Sequence, residues 1–205
     1  MDLRRLTGAA RIVRAPLPLR LERWRTRRRY GLVQPAMSDA GLMDLAGHEA
    51  IVLSPYWDSV HVLSWGMGHT RAAGPPNPAT RWDKQSTIHY MLQVARVDLV
   101  KYERGVDAAF TRPLSQPKRD AATSFNYSTG AIATATWVKL FNAGDIVGAR
   151  QSFMTWVKPP EIRGRRQAEC NLFFDSVYSN TRHVAALIPP TATARRSGLG
   201  PARST

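Results

Sequence analysis

Cysteine is almost absent from this sequence, which has one, Cys170, in 205 residues. A single thiol excludes a disulfide framework within the chain and a zinc site made of several cysteines. Apolar runs of the roughly 18 residues that span a membrane are also missing, so we expect no transmembrane segment. The amino terminus carries arginines without the apolar stretch of a secretory signal, and we expect no signal peptide.

Acidic residues are scarce as well, since 15 Asp and Glu face 29 Lys and Arg, for a formal net charge of +14. The excess lies at the ends: residues 1–30 hold ten arginines against two acids, and residues 189–205 hold three arginines and no acid. The arginine-rich segment 23–29 could bind nucleic acid or another anionic surface, or it could be a solvated arm. A third alternative is that Met37 is the true start and that residues 1–36 are an upstream extension.

The middle of the chain has the composition of a folded domain, whereas the carboxyl end, rich in Pro, Thr, Ala and Arg, has almost nothing to bury. We therefore predict a basic arginine-rich extension over 1–37, a folded domain over 38–178 and a flexible basic tail over 179–205.

Hydrophobic periodicity predicts an α+β fold in which helices dominate. A helix is predicted over 39–53, ended by Pro55, and a small antiparallel sheet over 56–69, where glycines favour turns. The helical pattern resumes near residue 88, and further helices are predicted over 118–127, 134–142, 144–157 and 164–178.

Two carboxyls lie close in sequence and in different surroundings. Glu49 follows the apolar face of the first helix, and Asp58 lies in the polar turn that opens the strands. Pairs of carboxyls in contrasting surroundings can supply an acid and a base at one pH. Taken singly, however, a Glu at a helix end is usually a surface charge and an Asp at a strand entrance a turn former.

Five segments in order resemble the motifs of the phage-type lysozymes, glycoside hydrolase family 24. The resemblance covers residues 38–174. They are His48-Glu49-Ala50, Tyr56-Trp57-Asp58 with Ser64-Trp65-Gly66-Met67-Gly68-His69-Thr70, Ser124-Phe125-Asn126-Tyr127-Ser128-Thr129-Gly130, Thr136-Trp137 through Asn142-Ala143-Gly144-Asp145, and Trp156-Val157-Lys158 with Gly164-Arg165-Arg166. The resemblance implies a mainly helical lysozyme-like fold with a small antiparallel β-lobe near its amino-terminal part.

The resemblance also implies a muramidase that hydrolyses the β-1,4 bond between N-acetylmuramic acid and N-acetylglucosamine in peptidoglycan. Glu49 would be the general acid, Asp58 would activate or position water, and Ser64, at a position where the family has threonine, would help hold that water. No metal or cofactor is expected.

The other residues in these motifs are candidates for binding substrate: His69, Thr70, Phe125, Asn126 and Thr136. His69 is also a candidate for a structural brace, and Phe125 for a core residue. Arg165 or Arg166 could pair with the helix that bears Glu49 or, alternatively, with Glu169.

Two rival functions stay open on the sequence: a non-catalytic lysozyme-fold virion or binding protein, and a lytic transglycosylase, which needs the glutamate but not the aspartate. The biological role is open too. A lysis enzyme would wait in the host cytoplasm until a separate membrane-permeabilising protein released it to the wall. A virion component could use the arginine-rich arm to contact a virion protein or nucleic acid.

Overall fold

The computed structural model describes residues 11–16, 37–58, 60–81, 85–179 and 183–188. The arginine-rich segment 23–29 and residues 189–205 lie outside the described residues, so the predictions made for the arm and for the end of the tail stay predictions. Within the described ranges, no helix has the length and apolar character needed to cross a membrane.

The described residues form six α-helices and one sheet, which confirms the mainly helical α+β fold. The helices are α1 (Asp39–Glu49), α2 (Ile88–Ala109), α3 (Gln116–Thr129), α4 (Thr136–Ala143), α5 (Ile146–Phe153) and α6 (Arg163–Asp175). Gly130 and Gly144 end α3 and α4 at positive φ, the usual role of glycine after a helix. The Asp145 side chain accepts from the Gly148 amide and caps α5.

The sheet contains β1 (Arg11–Pro16), β2 (Ile51–Trp57), β3 (Leu63–Gly66), β4 (His69–Thr70) and β5 (His183–Ile188), in the order β1-β5-β2-β3-β4. Strands β2, β3 and β4 are antiparallel neighbours, as predicted. Strand β5 pairs parallel with β2. Neither β1 nor β5 is predicted from the sequence.

The first helix is shorter than predicted. It ends at Glu49, and Ala50 has a φ of 58°, in the left-handed region that stops a helix. Residues 51–53, predicted as its last turn, belong instead to β2. Their side chains are buried, and the strand pairs with β3 on one side and β5 on the other. Tertiary pairing therefore overrides the helical spacing of this apolar run.

The chain divides into two compact units, and the five strands lie almost wholly in the first, which comprises Met1–Ala15, Glu49–Ala95 and Val184–Thr205. Its described core includes Ile51, Val52 and Leu53 of β2 together with Trp65, Met91 and Leu92, all buried. Gly66 has a φ of 62°, and a Cβ there would lie 2.9 Å from Met91 Cε, so the turn after β3 requires glycine.

The second unit comprises Pro16–His48 and Arg96–His183, and its described part is helical. Its core is a cluster of aromatic rings from α3 to α6 in which Trp137 contacts Phe125, Phe153 and Phe173 edge-on or tilted. This packing matches the helical spacing of the aromatic residues, and it gives the tryptophan a core role.

Candidate active site

The turn that follows β2 is organised around the Asp58 carboxylate. Its Oδ1 accepts from the backbone amides of Val60 at 3.0 Å and Val62 at 2.8 Å. Its Oδ2 accepts from Ser64 Oγ at 3.1 Å. The Asp58 amide in turn donates to the Val62 carbonyl at 3.0 Å. Because three donors fix both oxygens, the carboxylate has one orientation at the mouth of the β2–β3 hairpin.

Ser64 and Thr70 carry neighbouring hydroxyl groups on two adjacent strands. They are paired residues of β3 and β4, so their side chains stand side by side on one face. Ser64 is buried at 2% exposure, whereas Thr70 is half-buried. The predicted water-holding hydroxyl therefore contacts Asp58, and a second hydroxyl lies next to it.

Glu49 is the last residue of α1, and a single residue, Ala50, separates it from β2. The positive φ of Ala50 turns the chain directly from the helix into the strand. This short connection brings a carboxyl from a helix end into the same unit as the Asp58 turn.

The charges of both carboxyls act on the side chain of Tyr56. It is paired with Ser64 across β2 and β3, and its side chain is buried. Burial raises the pKa of Tyr56 above its ordinary value, and the negative charges of Asp58 and then Glu49 raise it further. Both carboxyls therefore lie within electrostatic reach of one phenol.

The sequence does not predict Tyr56 as a site residue. The signal that could have found it is its position, because Tyr56 lies at the end of a strand only two residues before Asp58.

His69 has the environment of a structural brace. Its ring is 2% exposed, and its Nε2 lies 2.7 Å from the Pro76 carbonyl. It is paired with Trp65 across β3 and β4, and the two rings meet edge-on. The contacts favour the bracing alternative over a direct contact with substrate.

The second unit holds the three remaining substrate-binding candidates, and the structure gives them different environments. The Phe125 ring is 0% exposed among Trp137, Phe153 and Trp156. A fully buried ring is out of reach of a ligand in solvent, so its packing favours the core alternative for Phe125 over a substrate contact.

Asn126 is also largely buried, and both ends of its amide bond to backbone. Its Nδ2 donates to the Tyr102 carbonyl at 3.0 Å, and its Oδ1 accepts from the Ile132 amide at 3.4 Å. These contacts give Asn126 a bracing role between helices α2 and α3 and the segment that follows. Thr136 is exposed at the start of α4, so it alone of the three presents a side chain to solvent.

Comparison with known proteins identifies relatives of this chain. A family model described as phage lysozyme matches residues 46–169. An endolysin of Acyrthosiphon pisum secondary endosymbiont phage 1 is 28% identical over 148 residues, covering 67% of this chain and 97% of the relative. A SAR-endolysin of Escherichia phage Mu is 31% identical over 128 residues, covering 59% of this chain and 71% of the relative.

A solved structure shows the same likeness in three dimensions. The endolysin from Escherichia coli O157:H7 phage FAHEc1 superposes with a TM-score of 0.64 at 26% identity, covering 72% of this chain and 98% of that one. The candidate carboxyls Glu49 and Asp58 both lie inside the range that the family model matches.

Proposed function

This chain belongs to the phage lysozyme family and is a peptidoglycan-hydrolysing muramidase, and we propose that Glu49 and Asp58 are the two carboxyls that carry out the hydrolysis. Glu49 acts as the general acid, and Asp58 acts as the base that positions and activates water. Ser64 assists Asp58. The bond cleaved is the β-1,4 link between N-acetylmuramic acid and N-acetylglucosamine.

The observation that carries this proposal is that the charges of Asp58 and Glu49 both act on the Tyr56 side chain. Both Asp58 and Glu49 raise the pKa of that buried phenol, so the two carboxyls belong to one electrostatic environment. An inverting glycosidase needs two carboxyls about 6.5–9.5 Å apart, which leaves room for a water molecule between one of them and the sugar. That both charges act on one buried phenol supports such a pairing of Glu49 with Asp58.

The different roles of the two carboxyls, base and acid, follow from how each one is positioned. The oxygens of Asp58 are fixed by Val60, Val62 and Ser64, so they can orient an attacking water on one face of the sugar ring. Glu49, delivered from the end of α1, protonates the leaving oxygen on the other face. The water loses its proton to Asp58, the glycosidic bond breaks, and the anomeric configuration inverts.

Ser64 variants test the positioning of Asp58. We expect Ser64→Ala to lower kcat about 10- to 100-fold, because a hydrogen bond to a charged group contributes about 1.5–3 kcal/mol. Ser64→Thr keeps the hydroxyl and adds a methyl that restricts its rotamer, so its kcat should equal or exceed that of the parent. Steady-state rates on purified peptidoglycan provide the measurement. Equal activity of Ser64→Ala and the parent would remove Ser64 from the site.

Product analysis tests the reaction type. A digest of purified peptidoglycan should yield reducing N-acetylmuramic acid ends, because water is the nucleophile. A lytic transglycosylase would instead leave 1,6-anhydro ends, and it would tolerate Asp58→Asn. We therefore expect mass spectrometry to find reducing ends only, and Asp58→Asn to abolish their release. Anhydro products, or an active Asp58→Asn enzyme, would overturn the role of Asp58, and absence of any product would favour a non-catalytic wall-binding protein.

We also propose that the hydrolysis serves lysis of the host, since the relatives named above are endolysins. On this proposal the enzyme resides in the host cytoplasm until a separate membrane-permeabilising protein releases it to the wall. The virion role, in which the arginine-rich arm contacts a virion protein or nucleic acid, is the alternative. No contact of the described residues favours it.

A further inference from the structure

The backbone of Met37 is enclosed by charged side chains within the second unit. Its amide nitrogen donates to Glu103 Oε1 at 2.9 Å, and its carbonyl accepts from the Arg96 guanidinium. Met37 is 2% exposed and Glu103 is 4% exposed. A main-chain nitrogen therefore lies against a carboxylate in a place that solvent does not reach.

The negative charge of the buried Glu103 carboxylate is poorly balanced by the groups around it. Burial raises the pKa of Glu103, and although the Met37 amide and the Arg96 and Arg119 charges lower it, burial prevails. Each arginine also has an acid of its own, since Arg96 pairs with Asp39 and Arg119 pairs with Asp107. A neutral amide is a weak partner for a buried carboxylate, whereas a positive charge at the same position would match it.

The residue at this position is a methionine, the residue with which translation begins. We propose that Met37 is the amino terminus of the functional form of this protein, made by initiation at its codon, and that its α-ammonium pairs with Glu103. The geometry needs no rearrangement, because the nitrogen that is an amide in the longer chain already lies at ion-pair distance from the carboxylate.

The site described above is compatible with this shorter form. The pairings that hold Asp58, Ser64 and Thr70 are those of β2 with β3 and of β3 with β4, and none involves a residue before Met37. The start of α1 is likewise fixed from within the second unit, because Ser38 N donates to Asp120 Oδ1 at 2.8 Å and Ser38 Oγ bonds to Oδ2 of the same residue.

The pairing is tested on protein made as the full chain. A site for a protease that leaves no residue of its own is inserted directly before Met37, the chain is cut in mild denaturant that exposes this buried bond, and both pieces are returned together to native buffer. We expect the melting temperature at pH 6.5 to rise by about 2–4 °C on cutting, the shift typical of a small gain in a chain of this size. The matched control is a cut directly before Ala36, which removes the same strand β1 but leaves an amide at Met37.

The charge on Glu103 supplies the second control. Glu103→Gln keeps an oxygen that accepts from Met37 but has no charge, so cutting before Met37 should produce no rise in this variant. Because an α-ammonium paired with a carboxylate has a pKa above its ordinary value of about 7.7–8.0, the gain should be complete below that range. The rise in melting temperature should disappear as the pH increases through the pKa that the α-ammonium has in the folded protein. Equal shifts for the two cut positions, or the same rise in Glu103→Gln, would overturn the pairing.

Intact-mass spectrometry tests the initiation itself. The gene is expressed with its own upstream sequence, with and without the Met1 codon. We expect both versions to yield a chain that begins at Met37. A product that retains residues 1–36, or one that disappears when the Met1 codon is removed, would contradict the proposal. A chain that begins at Ser38 would contradict the pairing with Glu103.

Discussion

Glu49→Gln is expected to lower kcat on purified peptidoglycan by about 10²–10⁴-fold, the usual contribution of a general acid. The amide is the same size as the carboxyl, and it can still accept hydrogen bonds. It has no proton to give to the leaving oxygen, however, so the sugar must depart as an unprotonated alkoxide. Release of reducing ends, normalised to folded protein, is the measurement.

The matched control for this variant is Glu161→Gln. Glu161 is an exposed carboxyl in the short 3-10 helix Pro160–Ile162, and it belongs to the second unit. It should retain the parent's rate, which separates loss of a particular acid from loss of negative charge. If Glu49→Gln were as active as Glu161→Gln, the assignment of the acid would be wrong, although membership of the family would stand.

How much of this site the sequence could predict depends on the kind of feature. The order of the motifs placed Glu49, Asp58 and Ser64 correctly relative to the helix and the strands, because each motif contains its own local structure. The end of the first helix was predicted four residues too late. Ala50 adopts a left-handed φ of 58° without being glycine, and an alanine gives no signal of such a turn.

Features that depend on contacts between distant parts of the chain could not be predicted from local sequence patterns. Strand β5 is a short apolar run, His183–Ile188, whose partner in the sheet is Ile51–Trp57. Composition alone assigned it to a tail, since nothing in a short run shows what it will pair with across such a separation.

Phe125 illustrates the same limit for the site. A phenylalanine in a family motif can line a cleft or fill a core, and only the surrounding rings of Trp137 and Phe153 favour the core.

The second variant with a large expected effect is Glu169→Gln, which breaks a buried ion pair in the core of the second unit and should lower its stability. The side chains of Arg166 and Glu169 are 0% and 1% exposed and form a salt bridge one turn apart on α6. The guanidinium also donates to the Trp156 carbonyl at 3.1 Å and lies 4.6 Å from the Phe125 ring centre. Glu169 further accepts from Ser124 Oγ at 2.6 Å and Arg165 Nε at 2.9 Å. Both arginines therefore pair with Glu169, and the pair is buried.

Burial lowers the pKa of Arg166, and the charge of Glu169 opposes that change. Glu169→Gln removes the opposing charge while keeping the shape of the side chain, so a cation is left in an aromatic core. Breaking a buried pair from one side costs about 3–5 kcal/mol, which lowers the melting temperature of a chain of this size by about 6–20 °C. Calorimetry or circular dichroism provides the measurement.

The exposed pair Arg150–Asp175 is the control, because both of its side chains are about two-fifths exposed at 43% and 40%. Asp175→Asn breaks a bidentate contact there, yet it should leave the melting temperature almost unchanged, since water replaces the lost partner. The double variant Arg166→Met with Glu169→Gln should regain part of the loss of Glu169→Gln, because it removes the unpaired charge itself. If the double variant were no more stable than Glu169→Gln, the cost would come from packing and not from the buried charge.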